Sequence, residues 1–189
     1  SIDVQIKENL IELLRKLNQE GLTIMHVTLD FHEAFSLANK MAVIDKGKLL
    51  QKGTPQDISN NPASSFVASF IGMHNYFEGL RGQKGEVIVN KEINLKITKF
   101  PKQDQFQLLI PPSAIHIELN NKKTDEINTF KGTVCRKVCF PEFAEFHIDI
   151  GITLRFSLSL SHPLSSKMKI GNYVFIEIIA DQVVLLENH

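Results

Sequence analysis

The pattern of hydrophobic residues changes once along this 189-residue chain, near residue 72, and that change limits the folds open to it. Before this point, apolar residues recur at helical spacing or in short continuous runs. After it, short runs of alternating apolar and polar residues are separated by turns rich in Gly, Pro, Asn and Lys. Many short strands at such spacing are typical of a small all-β barrel or sandwich. The sequence therefore predicts two parts, residues 1–72 and 77–189, joined by a linker at 73–76.

The front part reads as helices alternating with short strands. Asp3 can cap a first helix, which Gly21 ends. Residues 22–27 form a short, largely apolar run, the pattern of a strand buried on both faces, and a second helix is expected over 31–39. Residues 41–53, MAVIDKGKLLQKG, predict a β-hairpin turning at Lys46-Gly47.

Two more helices are expected before the change of pattern. Thr54-Pro55-Gln56-Asp57 supplies a capping hydroxyl, a proline at the first helical position and an acid at the third. The second of these two helices should end at Gly72. Its buried face is predicted to be Phe66, Val67, Phe70 and Ile71.

Composition excludes several partners. Lys and Arg balance Asp and Glu, 21 against 21, so no net field draws the chain to nucleic acid or acidic lipid. The absence of Trp and the presence of two Tyr argue against a nucleic-acid barrel with stacking platforms. No apolar run approaches the ~20 residues of a membrane-spanning helix, so direct membrane insertion is not expected. The two cysteines, Cys135 and Cys139, have no partner pair at zinc spacing.

Four segments of the front part carry a family resemblance. They are Ser1-Ile2-Asp3, VTLD at 27–30 followed by Glu33-Ala34, LANKMAVIDKGKLLQKGTP at 37–55, and PASSFVASFIG at 62–72. In this order they resemble the D-loop, the V-T-H-D switch region and the closing segments of the nucleotide-binding domain of importer-type ABC transporter ATPases.

The β-rich part resembles the TOBE-type, MOP-like regulatory domain that follows this ATPase domain. The matching runs are LLIPPSAIHIEL, FKGTVCRKVCF and MKIGNYVFIEIIADQVVLL. The implied fold is an α+β two-domain protein, a truncated α/β P-loop-type nucleotide-binding domain followed by a small all-β OB/TOBE-like barrel.

The resemblance implies the C-terminal part of an ATP-hydrolysing importer subunit. Such a parent protein would use ATP and Mg²⁺, pair with a second ATPase subunit as a homodimer, and bind transmembrane permease subunits at the cytoplasmic face of the membrane. This sequence has no G-x-x-x-x-G-K-[ST] loop, no signature loop and no Walker B acids. We therefore expect this chain alone to be inactive and to bind no cofactor.

The resemblance places two catalytic positions on this chain, the D-loop acid Asp3 and Leu29. Leu29 stands where the family has a histidine that hydrogen-bonds the γ-phosphate, and a leucine can neither donate nor accept such a bond. His26 lies three residues earlier on an extended strand and should face the other side. Leu29 thus indicates a weakened ATPase or an altered gene, and the interpretation that it simply packs is compatible with both.

Two patterns in the β part suggest ligands and are interpreted otherwise. Glu145, His147 and Asp149 alternate on one strand, and a solvated strand face is favoured over a metal or acid–base cluster. Molybdate-type domains carry S-A-R-N and a later I-K at the anion, where this chain has Asp125-Glu126-Ile127-Asn128 and Ile178-Ile179. The acids and the missing lysine predict no tight oxyanion site.

The function hypotheses differ in class. The first is the ATPase subunit described above; its motifs are nearest to molybdate and tungstate importers, although sulfate, polyamine, iron and sugar importers share nearly all of them. The alternative is a non-catalytic dimerising or small-ligand-sensing module formed by residues 77–189.

Overall fold

The computed structural model of the chain describes residues 4–83, 85–100, 102–119 and 128–186. The chain divides into two units, Ser1–Ala63 and Ser64–His189. The linker that the sequence predicts at residues 73–76 lies within the second unit. The division into domains at that linker therefore stays a proposal.

Within its described residues, the first unit consists of three helices and one hairpin. Its elements are α1 (Val4–Gln19), α2 (Phe31–Leu37), β1 (Met41–Asp45), β2 (Lys48–Gly53) and α3 (Pro55–Asn60).

Local sequence signals set the hairpin and α3 as predicted. In the hairpin, Asp45 pairs with Lys48, and Lys46 and Gly47 have φ of 46° and 77°, the geometry favoured in two-residue turns. At α3, the Thr54 side chain accepts from the Asp57 N–H, and the Asp57 carboxylate accepts from the Thr54 N–H, a complete capping box.

The strand predicted over residues 22–27 is absent, and this prediction is wrong. Residues 22–28 form neither helix nor strand, and the side chains of Met25 and Val27 are 93% and 89% exposed. A strand exists only where its backbone pairs with a neighbour, and in the described part of the first unit β1 and β2 pair only with each other. The apolar run therefore has no strand partner among these residues, and its side chains are largely accessible to solvent.

The second unit consists of two five-stranded antiparallel sheets with a helix beside each. One sheet has the order β12-β6-β3-β4-β5 and the other β10-β9-β8-β11-β7. The elements are α4 (Ser65–Phe70), β3 (Tyr76–Arg81), β4 (Glu86–Val89), β5 (Ile93–Lys96), β6 (Gln105–Leu109), β7 (Ile115–Glu118), β8 (Thr129–Cys139), β9 (Phe143–Asp149), β10 (Thr153–Ser159), α5 (Pro163–Lys167), β11 (Tyr173–Ile178) and β12 (Val184–Leu186).

A single apolar core draws on both sheets. Alternate residues of β4, β5 and β10 enter it, as the alternating sequence predicts. Its fully buried members include Val87, Leu95, Leu108, Phe146, Ile148 and Ile176. Helix α4 packs separately, with Ala68 against Leu109 and Leu186. Of the face predicted for α4, Val67 is buried, whereas Phe66 is exposed, so its predicted burial is wrong.

The two sheets are built from an internal repeat that the sequence analysis did not detect. The pattern N-x-F-x-G occurs at residues 75–79, NYFEG, and again at 128–132, NTFKG. β3 begins directly after Asn75, and β8 begins directly after Asn128. The order of β6-β3-β4-β5 in one sheet matches that of β11-β8-β9-β10 in the other.

Each repeat gives its last strand to the other sheet. After β6, a 3₁₀ turn at Pro112–Ala114 leads into β7, which pairs with β11. After β11, the equivalent turn at Ala180–Gln182 leads into β12, which pairs with β6. This exchange is reciprocal, so each sheet contains a strand from both repeats.

The asparagines of the two repeats make the same contacts. The Asn75 side chain donates to the Arg155 carbonyl and accepts from the Arg155 N–H, both at 2.7 Å. The Asn128 side chain does the same with Lys96, both at 2.8 Å, and also donates to the Ile178 carbonyl at 3.1 Å. Arg155 lies on the edge strand β10 and Lys96 on the edge strand β5. Each amide therefore pairs with an edge strand that belongs to the other repeat's sheet.

The repeat glycines are fixed by close packing. A Cβ at Gly79 would lie 2.5 Å from Cε2 of Phe106, and one at Gly132 would lie 2.6 Å from Cγ2 of Ile148. No side chain fits at these distances without displacing the core, which explains glycine as the last residue of both motifs.

We expect Asn128→Ala to lower the free energy of unfolding of the chain by about 2–4 kcal/mol, since it removes the partner of the partly buried N–H and C=O groups of Lys96 and of the buried carbonyl of Ile178. Asn90→Ala is the matched control, because Asn90 also has positive φ, 48° against 63°, but is exposed and accepts one bond, from the Glu78 N–H. Urea unfolding followed by circular dichroism measures both. Equal losses in the two variants would show that backbone strain, not the amide pairing, is the cause.

Candidate functional site

The segment from His26 to Glu33, here called the switch segment, is held by a chain of polar contacts. The Thr28 hydroxyl donates to Oε2 of Glu33 at 2.7 Å and accepts from the Asp30 N–H at 3.0 Å. Asp30 in turn caps helix α2, because its Oδ1 accepts from the Glu33 N–H at 3.2 Å. The turn between strand-like backbone and helix is thus closed by side chains at both of its ends.

A lysine from helix α1 completes this network. The Lys7 ammonium lies 2.7 Å from Oδ2 of Asp30 and 3.7 Å from Oε2 of Glu33. On the other side, Nε2 of His26 lies 3.3 Å from Oε1 of Glu33. The Glu33 side chain is only 13% exposed, which makes it the most enclosed ionisable group of the network.

These contacts favour the charged forms of Lys7, Asp30 and Glu33. The hydrogen bond from Lys7 lowers the pKa of Asp30, and the hydrogen bond from Thr28 lowers the pKa of Glu33. The bond to Asp30 raises the pKa of Lys7. Because their pKa is lowered on folding, Asp30 and Glu33 stabilise the fold at any pH above their ordinary pKa, near 4. This stabilisation is lost as the pH falls through the pKa that each group has in the folded chain. The contribution of Lys7 to stability is present at any pH below its ordinary pKa of 10.5 and is lost as the pH rises through its pKa in the folded chain.

Leu29 lies between two members of the network but takes no part in it. Its side chain is 94% exposed, so the interpretation that Leu29 simply packs is wrong for the part of the chain that the structure describes. Met25 and Val27 are exposed in the same alternating pattern, whereas the His26 and Thr28 side chains both contact Glu33. The segment therefore presents an apolar row to solvent and a polar row to Glu33.

The other catalytic candidate, Asp3, lies outside the described residues, so the D-loop assignment stays a prediction. For Leu29, the structure shows a position whose direction is set by its neighbours, with no contact that would explain a leucine. The polar groups around it were not singled out from sequence as a network. The Thr28, Asp30 and Glu33 spacing, a cap followed three residues later by an acid, was the signal that could have found them.

Glu145, His147 and Asp149 on β9 differ from the solvated strand face that the sequence predicts. His147 is only 7% exposed, and its Nε2 lies 2.9 Å from Oε1 of Glu145, so this is not a solvated face throughout. Asp149 accepts instead from the Gly151 N–H. Among the residues that the structure describes, no group of three or more His, Cys, Asp or Glu side chains is placed to hold a metal ion.

The candidate oxyanion position is occupied by structural hydrogen bonds. Residues 125–127 lie outside the described part of the chain, so the acidic pair Asp125 and Glu126 has no structural account. Asn128, the one residue shared with the anion-binding pattern, uses its amide on Lys96 and Ile178. Its side chain is thus committed to joining the sheets.

Sequence reasoning also missed a half-buried lysine in the second unit. The Lys137 ammonium donates to the carbonyls of Ser165 at 2.6 Å and Met168 at 3.2 Å, at the end of helix α5. A cation is favoured at the C-terminal end of a helix, where carbonyls lack partners. The contacts span about 30 residues of sequence, so no local pattern could have revealed them.

The sequence is similar to known proteins over most of its length. No protein-family model matches the sequence. The spermidine/putrescine import ATP-binding protein PotA of Clostridioides difficile is 28% identical over 188 residues, which is 98% of this chain and 51% of that protein. PotA of Clostridium novyi is 34% identical over 138 residues, 70% of this chain and 40% of that protein.

The chain is similar to ATP-binding proteins of ABC importers. It spans about half the length of the curated relatives it matches, and the longer of the two alignments runs through both units. These relatives are named for spermidine and putrescine, so the molybdate subfamily suggested by the sequence is not supported by them.

One solved structure has a related fold. The cytoplasmic molybdate-binding protein ModG, in a form with molybdate bound, gives a TM-score of 0.50 at 13% identity and covers 62% of this chain and 99% of its own. This likeness supports the MOP-like, OB-type fold predicted for the β part. At this level of identity it shows the fold alone.

None of the helices in the described ranges is both long and apolar enough to cross a bilayer.

We expect Leu29→Ser to change the free energy of unfolding of the chain by less than about 0.5 kcal/mol, because an exposed side chain with no packing loses nothing on substitution. Ile58→Ala is the control, since Ile58 is fully buried in α3 and such truncations cost about 2–5 kcal/mol. Thermal unfolding compares the two. A loss for Leu29→Ser close to that of Ile58→Ala would mean that Leu29 is covered in solution.

Proposed function

We propose that this chain is part of the ATP-binding subunit of an ABC importer and contributes the switch segment of its catalytic domain. The observation that carries the proposal is the network around Leu29. Thr28, Asp30 and Glu33 hold a short turn between extended backbone and helix, so that one exposed residue projects from it. The family resemblance assigns that residue to the γ-phosphate, and the similarity to two PotA proteins supports the assignment.

The described residues do not by themselves provide a site for ATP and Mg²⁺. The two acids nearest Leu29 are occupied, Asp30 by Lys7 and its capping bond, and Glu33 by Thr28. The sequence holds no phosphate loop with its lysine. Nucleotide and metal would therefore be held by other parts of a longer protein, and this chain would supply one face of the site.

The unpaired segment agrees with this role. Residues 22–28 expose the apolar side chains of Met25 and Val27 and have no strand partner in the described part of the chain. Covering such side chains with further strands or helices is favourable in water. In the proposed protein, the rest of the catalytic domain would cover it, and a second ATPase subunit and permease subunits at the cytoplasmic face of the membrane would complete the assembly.

The proposed solute is a polyamine, on the basis of the names of the two relatives. The preference for molybdate or tungstate rests on the switch motif of the sequence. It finds no support in Asn128, whose two amide N–H groups already donate to the carbonyls of Lys96 and Ile178.

We expect Leu29→His in a full-length protein carrying this segment to raise kcat for ATP hydrolysis by roughly 10²- to 10³-fold, the usual effect of one donor to developing charge. The Kd for ATP should stay nearly unchanged, because the change acts on the transition state. A phosphate-release assay and nucleotide titration measure the two. Leu29→Met is the matched control, since it offers no donor, and its rate should equal that of the native protein.

Native turnover as fast as that of Leu29→His would assign the switch role to another residue. Full-length protein that neither binds nor hydrolyses ATP in any of the three forms would overturn the proposed function.

A second candidate, a small-ligand-sensing module, is favoured only by the fold that the β part shares with ModG. We expect the chain to bind molybdate with a Kd weaker than about 10 μM, some −7 kcal/mol. The reasons are the committed amide of Asn128, the lysine position held by Ile179 and the acids at 125 and 126. Titration calorimetry with molybdate, and with sulfate for comparison, measures this, and tight binding of molybdate alone would favour the sensing module.

A further inference from the structure

We propose that Lys7 is a positioning residue of the switch segment, which ties helix α1 to Asp30 and Glu33 and so sets the direction in which Leu29 projects. The inference rests on the proposed function, because it concerns the same segment. It adds a residue on a different helix, which neither the family resemblance nor the relatives' names assign.

Leu29 must be oriented by its neighbours. Its side chain is 94% exposed, so no packing of its own holds it. The residues on both sides of it are fixed, since Thr28 bonds to Glu33 and Asp30 caps α2. Any group that moves these two residues therefore moves Leu29.

Lys7 contacts the carboxylates that hold this turn. Its ammonium donates to Oδ2 of Asp30 at 2.7 Å, while Oδ1 of the same carboxylate accepts from the Glu33 N–H. It also lies 3.7 Å from Oε2 of Glu33, the oxygen that accepts from Thr28. One cation on α1 thus reaches both acids through which the turn is closed.

The position of Lys7 is electrostatically unfavourable apart from these acids. It lies in the first turn of α1, and Asp30 brings it to the first turn of α2. Both helix N-termini carry partial positive charge, which repels an ammonium group. The two carboxylates therefore account for its placement between the helix starts.

A second contact limits how α1 and α2 can move. Nη2 of Arg15 donates to the Ser36 carbonyl near the end of α2, at 3.3 Å. Lys7 holds the start of α2 and Arg15 its end, so the two helices run side by side in the same direction. A shift of α1 would be passed to α2 at two points, of which only the Lys7 contact lies beside Leu29.

The test is amide hydrogen exchange in the 189-residue chain, read by NMR at the Asp30 and Glu33 N–H groups. Both are held by side chains of the network. We expect Lys7→Met to raise their exchange roughly two- to five-fold, the range for a partly exposed ion pair. Lys7→Arg should restore protection, and Lys16→Met, on the exposed side of the same helix, should leave both groups unchanged.

A pH profile separates positioning from general loosening. Asp30→Asn keeps the capping oxygen but removes the charge that Lys7 pairs with. Native exchange at Glu33, corrected for intrinsic pH dependence, should rise as the pH falls below the ordinary 3.8 of the Asp30 carboxyl. In Asp30→Asn that rise should be reduced to the part due to Glu33, whose carboxylate also faces Thr28 and His26.

The proposal is overturned if Lys7→Met leaves the exchange of Asp30 and Glu33 unchanged. It is also overturned if Lys7→Met and Asp30→Asn add independently in the double variant, since residues acting through one contact do not add. No nucleotide is used, so a full-length protein without ATPase activity would overturn the proposed function and leave this result standing.

Discussion

Every strand edge in this chain raises the same physical requirement, which is that backbone N–H and C=O groups withdrawn from water must find partners. The second unit meets it with side chains as well as strands. Asn75 and Asn128 each present an amide, a donor and an acceptor in one plane, to the backbone of a single residue on an edge strand. On each edge strand, the amide supplies the hydrogen bonds that a further strand would otherwise supply. The two sheets are joined at these two points.

The first unit contains a stretch to which this requirement does not apply, because it is not withdrawn from water. The backbone of residues 22–28 has the sequence of a buried strand but no neighbour among the described residues, and its apolar side chains remain in water. The polar side of the same segment is nevertheless well ordered by Thr28, Asp30 and Glu33. This side is held by capping hydrogen bonds between residues close in sequence and by the ion pair with Lys7 on helix α1.

The sequence predicted those features whose cause is local. The turn at Lys46-Gly47, the capping box of α3 and the alternation that fills the β core each depend on a few neighbouring residues. The strand predicted at 22–27 is absent because a hydrophobic pattern indicates only which side chains could be buried. A strand also needs a neighbouring strand with which its backbone can pair. The contact of Lys137 with Ser165 was out of reach because it spans distant residues, whereas the repeated N-x-F-x-G pattern was visible and overlooked. At the candidate site, the sequence marked Leu29, but its exposure and the role of Lys7 depend on how α1 and α2 lie together.

The exchange of β7 and β12 has a consequence for how the second unit is made. Neither sheet can be completed from one repeat, since β6 pairs with residues 184–186 and β11 pairs with residues 115–118. These pairings join distant parts of the chain, and such contacts slow folding because long loops must close first. During synthesis, the sheet that begins at β3 waits with an open edge until β12 has left the ribosome. We therefore expect the two repeats to fold together as one cooperative unit, although each carries its own motif.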